Sequence, residues 1–262
     1  SGDQRHVPVH AGDTGAVSRG VSAAAWNPAG IASIDAAEVE FTRLTWLETV
    51  KFDDAAAGVR TRYGVLGLWL RRVTMDPIDG YSVSGASAGT YNASDTAVSA
   101  LWARSFGNWS LGAAVKMISS VIDNEKASAY AVDAGLQRSV GERGMVGLSA
   151  RNLGTGIKFD SRSDPLSASV RLGGGYTVFK GRVGSLSLYG DAEKPRDRRA
   201  DFYGGAEYAA ARLYGVRLFL RGGYRTRIEG LSAAEGVTAG LGAACGNFSA
   251  GYAYVSYGDL GI

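Results

Sequence analysis

The feature that most constrains this chain is alternation with a period of two, sustained over segments of 10–14 residues. Between Tyr214 and Arg227 one face reads Tyr214, Val216, Leu218, Leu220, Gly222, Tyr224, and the other Arg217, Phe219, Arg221, Gly223, Arg225, Arg227. Successive side chains of a strand point to opposite sides, so such a pattern predicts a strand with one apolar face. Trp109, Leu111, Ala113, Val115 and Met117 oppose Lys116 in the same way. Leu166, Ala168, Val170, Leu172, Gly174 and Tyr176 oppose Arg171, while Leu186, Leu188, Gly190 and Ala192 oppose Ser187, Tyr189, Asp191 and Glu193. We read about thirteen such segments after residue 37, divided by turn residues such as Phe106-Gly107-Asn108, Gly141-Glu142-Arg143-Gly144, Lys180-Gly181 and Gly246-Asn247.

Segment length then selects the environment. Soluble strands average about 5–6 residues, whereas a tilted strand needs about 9–11 to cross a bilayer. Lipid offers no hydrogen-bond partner, so a spanning sheet must roll up and close. An up-and-down antiparallel barrel closes with an even number of strands, and the expectation is therefore about fourteen. The sequence predicts an all-β, antiparallel, up-and-down transmembrane β-barrel over residues 38–262, preceded by a short N-terminal plug-like segment over 1–37 that carries Ala25-Trp26-Asn27-Pro28-Ala29-Gly30.

Composition agrees. Mean hydropathy is −0.05, as expected when apolar and polar residues alternate. No run of about 18 apolar residues is present, which excludes a transmembrane helix. Gly (38 of 262 residues) is roughly twice its usual share, while Pro (5) is scarce. The 28 basic and 25 acidic residues are interspersed, without the one-sided basic face of a nucleic-acid binder.

The late and early motifs carry a resemblance. Trp26-Asn27-Pro28-Ala29-Gly30, Ser94-Asp95-Thr96-Ala97-Val98, Ala150-Arg151-Asn152-Leu153-Gly154 with Ile157-Lys158-Phe159, Pro165-Leu166 with Arg171-Leu172-Gly173, Glu193-Lys194-Pro195-Arg196-Asp197, Gly223-Tyr224-Arg225-Thr226 and Tyr252–Gly261 follow one another in order. In that order they resemble the PorV/PorQ-like outer-membrane barrels, relatives of the FadL long-chain fatty acid transporters. The resemblance implies a bacterial outer-membrane location and contact with membrane lipids. It implies passage or binding of hydrophobic molecules such as long-chain fatty acids. The alternative within the same resemblance is a PorV-like barrel that anchors or shuttles secreted cargo proteins, gripping them through the Met75–Tyr91 segment. It also implies a strand after the Gly258-Asp259-Leu260-Gly261 run, which would make the count even.

Chemistry-bearing residues are few. His6 and His10 are the only histidines and Cys245 the only cysteine, so no metal site, disulfide or His-based triad is expected, and no cofactor or enzymatic activity. Cys245 reads as an inert strand residue. Asp53-Asp54 and Asp160 with Asp164 read as acidic turn residues. Gly173-Gly174-Gly175 and Gly240-Leu241-Gly242 lie inside strand patterns with no helix after them, so they read as bends or ring-packing sites, not phosphate loops.

Two sets are candidate ligand sites. Trp26, Asn27, Pro28 and Gly30 either narrow the bore and touch a ligand or form a turn that seals one barrel end. Lys116, Arg171, Arg217, Arg221 and Arg225 face inward; they either pair with an anionic headgroup or are balanced by Asp191, Glu193 and other lumen acids.

Overall fold

The structure, a computed structural model, describes residues 15–46, 49–81, 87–123, 125–159, 162–226 and 236–256. The strands are β1 (Ala37–Trp46), β2 (Val50–Thr61), β3 (Gly64–Tyr81), β4 (Ser87–Phe106), β5 (Trp109–Ile122), β6 (Glu125–Val140), β7 (Gly144–Gly154), β8 (Ile157–Phe159), β9 (Arg162–Asp164), β10 (Ser169–Gly181), β11 (Gly184–Pro195), β12 (Asp201–Ala210), β13 (Val216–Arg225), β14 (Val237–Cys245) and β15 (Phe248–Val255). Thirteen of them form one up-and-down sheet in chain order, and β8 and β9 form a separate hairpin between β7 and β10.

The two ends of the sheet differ. At one end β4 and β5 are joined by residues 107–108 and β14 and β15 by 246–247. Gly107 (φ 58°) and Gly246 (φ 55°) take the left-handed backbone that so tight a turn requires. Most connections at the opposite end are longer, although residues 123–124 join β5 to β6 as tightly, and the one between β7 and β10 carries the β8–β9 hairpin. Ala37 pairs with Val59 beside the short turn of β2 and β3, so the chain enters β1 from the short-turn end.

The faces are those the alternation predicts. Leu66 (49% exposed), Leu68 (61%), Val115 (62%), Leu172 (60%), Leu218 (59%), Leu220 (57%) and Leu241 (61%) lie bare on the outside. The opposite positions Lys116, Arg171, Phe219 and Arg221 are buried. So wide an apolar surface is far beyond what a water-soluble monomer exposes and matches the lipid-facing band of a barrel. At the short-turn end Tyr63, Trp102, Phe106, Trp109 and Phe248 form a rim of exposed rings. Arg62, Arg104 and Arg138 stack on Tyr63, Phe106 and Trp109 at 4.6, 5.3 and 4.8 Å. Trp102 Nε1 donates to the Tyr63 carbonyl at 3.1 Å. These rings suit the interface between hydrocarbon and water.

The main sheet has thirteen strands, the number of alternating segments in the sequence, and β1 and β15 lack partners on their outer edges among the described residues. Both run from the short-turn end to the other, so they cannot pair antiparallel with one another; alternation round a cylinder needs one more strand between them. Asp53 and Asp54 are not turn residues: they sit within β2, opposite Arg43 and Arg71–Arg72, and bond Arg43 (2.6 Å) and Arg71 (2.7 Å). Cross-strand arginines neutralise them there, which a single strand's sequence does not reveal. Asp164 ends β9, and Asp160 lies outside the described residues. Tyr214 belongs to a turn (φ 49°), with β13 starting at Val216. Met75–Tyr91 is mostly strand, because β3 and β4 run on as a long hairpin. Cys245 ends β14 and is exposed.

Leu220→Arg places a charge on the apolar face mid-strand and should destabilise the barrel by about 2–4 kcal/mol if it faces the bilayer centre. Urea unfolding in phospholipid vesicles measures this, with Phe219, on the inner face, changed to Leu as the reference.

Candidate functional site: a hatch seated in the lumen

The buried apolar core lies inside the sheet, and much of it comes from the segment before β1. That segment forms three 3-10 turns, η1 (Gly15–Val17), η2 (Val21–Ala25) and η3 (Pro28–Ser33). Val21, Ile31 and Ile34 pack on Val65, Leu101 and Ala103 of β3 and β4. We call this segment the hatch.

Its polar groups are satisfied by the wall. Short turns leave many backbone carbonyls unpaired, and burial makes each of these costly. Arg60 donates to the carbonyls of Ile34 and Ala32, both at 2.7 Å. Gln137 donates to Ser18 O at 2.8 Å and Ala16 O at 3.2 Å. Asp191 accepts from Ala16 N at 3.1 Å, and Glu38 from Val21 N at 2.8 Å.

Asn27 is the centre of the seat. It is fully buried and caps η3, its Oδ1 accepting from Ala29 N at 3.1 Å. Its Nδ2 donates to Ala16 O (2.7 Å) and reaches Leu136 O (3.3 Å) and Leu148 O (3.4 Å), tying η1, β6 and β7 together. Pro28 at the first position of η3 presets the backbone for that cap. The wall admits this segment because it is glycine there. A Cβ at Gly112 would strike Pro28 and Ala29, one at Gly135 would strike Asn27 Oδ1, and one at Gly147 would strike Ala16 O. Gly112 pairs with Gly135, and Gly147 with Gly173, so the glycines form a band across β5, β6, β7 and β10. Gly30 is equally tight, against Ser18 O and Ala23.

Trp26 lies against a charged cluster. Arg151 and Arg171 approach its ring at 5.3 and 5.2 Å. Arg151 also donates to Ala25 O at 2.8 Å and pairs with Glu193. Arg171, fully buried, bonds Asp191 at 3.1 Å and stacks on Tyr203 at 4.3 Å. Burial lowers the Arg19 guanidinium below its ordinary pKa, with Asp35 and Tyr189 opposing the shift.

The structure brings Trp26, Asn27, Pro28 and Gly30 into one seat but spreads the basic set round the lumen. Lys116 bonds Asp133 at 2.8 Å and Asn152 Oδ1 at 2.8 Å. Arg221 bonds Glu207 at 2.6 Å, and Arg225 bonds Asp201 at 3.1 Å. Arg217 lines a cavity at the short-turn end. Lumen acids therefore balance most of the set. Sequence reasoning missed Arg151, Gln137, Asp133 and the glycine band. Asp133 and Gln137 were legible as alternate positions of β6; what they touch was not.

No protein-family model and no curated protein matches the chain. Among solved structures it is similar to the Pseudomonas putida toluene transporter TodX, with TM-score 0.59 and 11% identity over 89% of this chain and 86% of that one. The likeness is one of fold, an antiparallel up-and-down β-sheet wall. These comparisons give no support to the PorV/PorQ branch in particular. Among the described residues no group of three His, Cys, Asp or Glu is placed to hold a metal; His6 and His10 lie outside them.

Gly135→Val should unseat the hatch. Overpacking costs about 1–3 kcal/mol, and conductance across a planar bilayer should rise as the bore clears. Gly204→Val, at a site with nothing within 4 Å of the added carbon, should leave conductance unchanged.

Proposed function

We propose that this protein is a bacterial outer-membrane barrel that passes small hydrophobic molecules, with η1 to η3 as its hatch and the thirteen-stranded sheet as its wall. The observation that carries the reading is the hatch itself. A segment of 3-10 turns sits inside a barrel whose outer face is apolar, held by side-chain hydrogen bonds and a glycine band rather than by strand pairing. Such a segment can shift while the wall stays whole, because none of the wall's backbone ladder passes through it. The fold shared with TodX supports a hydrophobic solute. Short turns mark the periplasmic side of outer-membrane barrels, which supports entry of the hatch into β1 from that side.

Two cargo chemistries follow, single-ring hydrocarbons and long-chain fatty acids. No catalytic step is assigned. The cargo-protein shuttle has less behind it, since the segment it leaned on, Met75–Tyr91, is mainly strand.

The test is uptake by cells lacking their own hydrophobic-uptake barrels, where the outer leaflet slows apolar solutes. Expression should speed entry of labelled toluene or oleate, and Asn27→Ala should alter the rate without loss of the folded barrel. Uptake equal to that of cells carrying an empty vector, with folded protein in the membrane, overturns the reading.

A further inference from the structure

The rim of the barrel at its short-turn end is basic. The turns there, residues 62–63, 107–108, 141–143, 182–183, 211–215 and 246–247, hold Arg62, Arg143, Arg182 and Arg212, with Glu142 as their one acid. Arg104 and Arg138 add to them from the ends of β4 and β6. The acids beside the start of β1 are turned to the hatch: Glu38 accepts from Val21 N at 2.8 Å, and Asp35 acts on Arg19.

Part of this charge lies on the outer side of the wall. Cross-strand partners share a face. Arg104 pairs with Leu111 and Arg138 with Val146, so both stand on the face of those bare apolar side chains. Arg62 is exposed in the β2–β3 turn, whose Tyr63 carbonyl accepts from Trp102 on the same outer face. Each of the three lies over a ring, Arg62 on Tyr63, Arg104 on Phe106 and Arg138 on Trp109. Among the described residues none of the three has a hydrogen bond or a carboxylate partner. The lumen shows the reverse, since Arg151, Arg171, Arg221 and Arg225 are all paired with acids. A guanidinium stacked on a ring is held in place while its edge N–H groups stay open. That edge is the fork that fits a phosphate with two parallel bonds.

We propose that this stretch of rim, from the β2–β3 turn to β6, binds the headgroups of anionic phospholipids. Their phosphates meet Arg62, Arg104 and Arg138, and their chains lie along the apolar band of the wall. An acidic protein reaching the mouth from below would meet the turns, with Arg143 and Arg182, before Arg104 and Arg138 on the wall. The proposal rests on the reading of this chain as a membrane barrel and adds to it which lipid the wall selects.

The experiment folds the full chain into phosphatidylcholine vesicles carrying a trace of spin-labelled phosphatidylglycerol or spin-labelled phosphatidylcholine. Electron paramagnetic resonance then measures the share of each label held against the protein. Phosphatidylglycerol should be held in the larger share, the arginine sites favouring it about fivefold, and high salt should shrink the excess. Arg104→Gln and Arg138→Gln should each lower the excess, and the pair together should remove most of it. Arg143→Gln, in a turn, should leave it unchanged. Each single variant is read by itself, so one that fails to fold leaves the other informative. Equal shares of the two lipids at the unaltered barrel, or an excess that the paired variant keeps, overturns the proposal. So does an excess lost with Arg143→Gln alone, which moves the anion site to the mouth. A barrel that inserts but holds both lipids equally sinks this inference alone, whereas a chain that does not enter the vesicles sinks the membrane reading with it.

Discussion

A bilayer interior offers no partner to a bare amide, and this constraint organises the whole molecule. It requires that each backbone group in the spanning region be paired in a ladder, and the described strands obey it at every seam of the thirteen-stranded sheet, the outer edges of β1 and β15 excepted. It also frees the outer side chains to be apolar, because the solvent of a spanning strand's outer face is hydrocarbon. Alternation follows directly. Leu218 and Leu220 look outward while Arg217, Phe219 and Arg221 look inward, and one residue of slippage would exchange those faces.

The inside obeys a different rule. A lumen rolled from so many strands has room for more than wall side chains, and here a segment of the chain fills part of it. Side chains on the wall are short or absent where the hatch approaches, at Gly112, Gly135 and Gly147. They are long and charged where its carbonyls need donors, at Arg60, Gln137 and Arg151. Arginines buried in that wall carry carboxylate partners, as with Arg171 and Asp191. Removing one member of such a pair costs about 3–5 kcal/mol because the other charge is stranded. The pairs thus constrain the seat even where they add little net stability.

Much of this was legible in the sequence. The faces of β5, β10 and β13 followed from period two, because burial in a barrel depends only on which side a residue points to. The Trp26-Asn27-Pro28 run stands out because Asn-Pro is a turn signal, whereas the capping role of Asn27 appears only in the structure. Gly173-Gly174-Gly175 read as bends or ring-packing sites, and of the three Gly175 has a ring beside it, Tyr189, 2.6 Å from where its Cβ would stand. Partnerships across strands were not legible. Asp53 and Asp54 looked like turn residues since their arginine partners, Arg43 and Arg71, are 10 and 17 residues away. The glycine band escaped for the same reason, since its members are neighbours only once β5, β6, β7 and β10 are laid side by side.

In the proposed reading one face of each strand meets lipid and the other a lumen that the hatch fills in part. Nitroxide labels placed singly at residues 111–117 in β5, in phospholipid vesicles, test it most directly. Accessibility to molecular oxygen, which partitions into hydrocarbon, should oscillate with period two and peak at residues 111, 113, 115 and 117. Uniform accessibility to a water-soluble relaxation agent along the whole series would contradict the account.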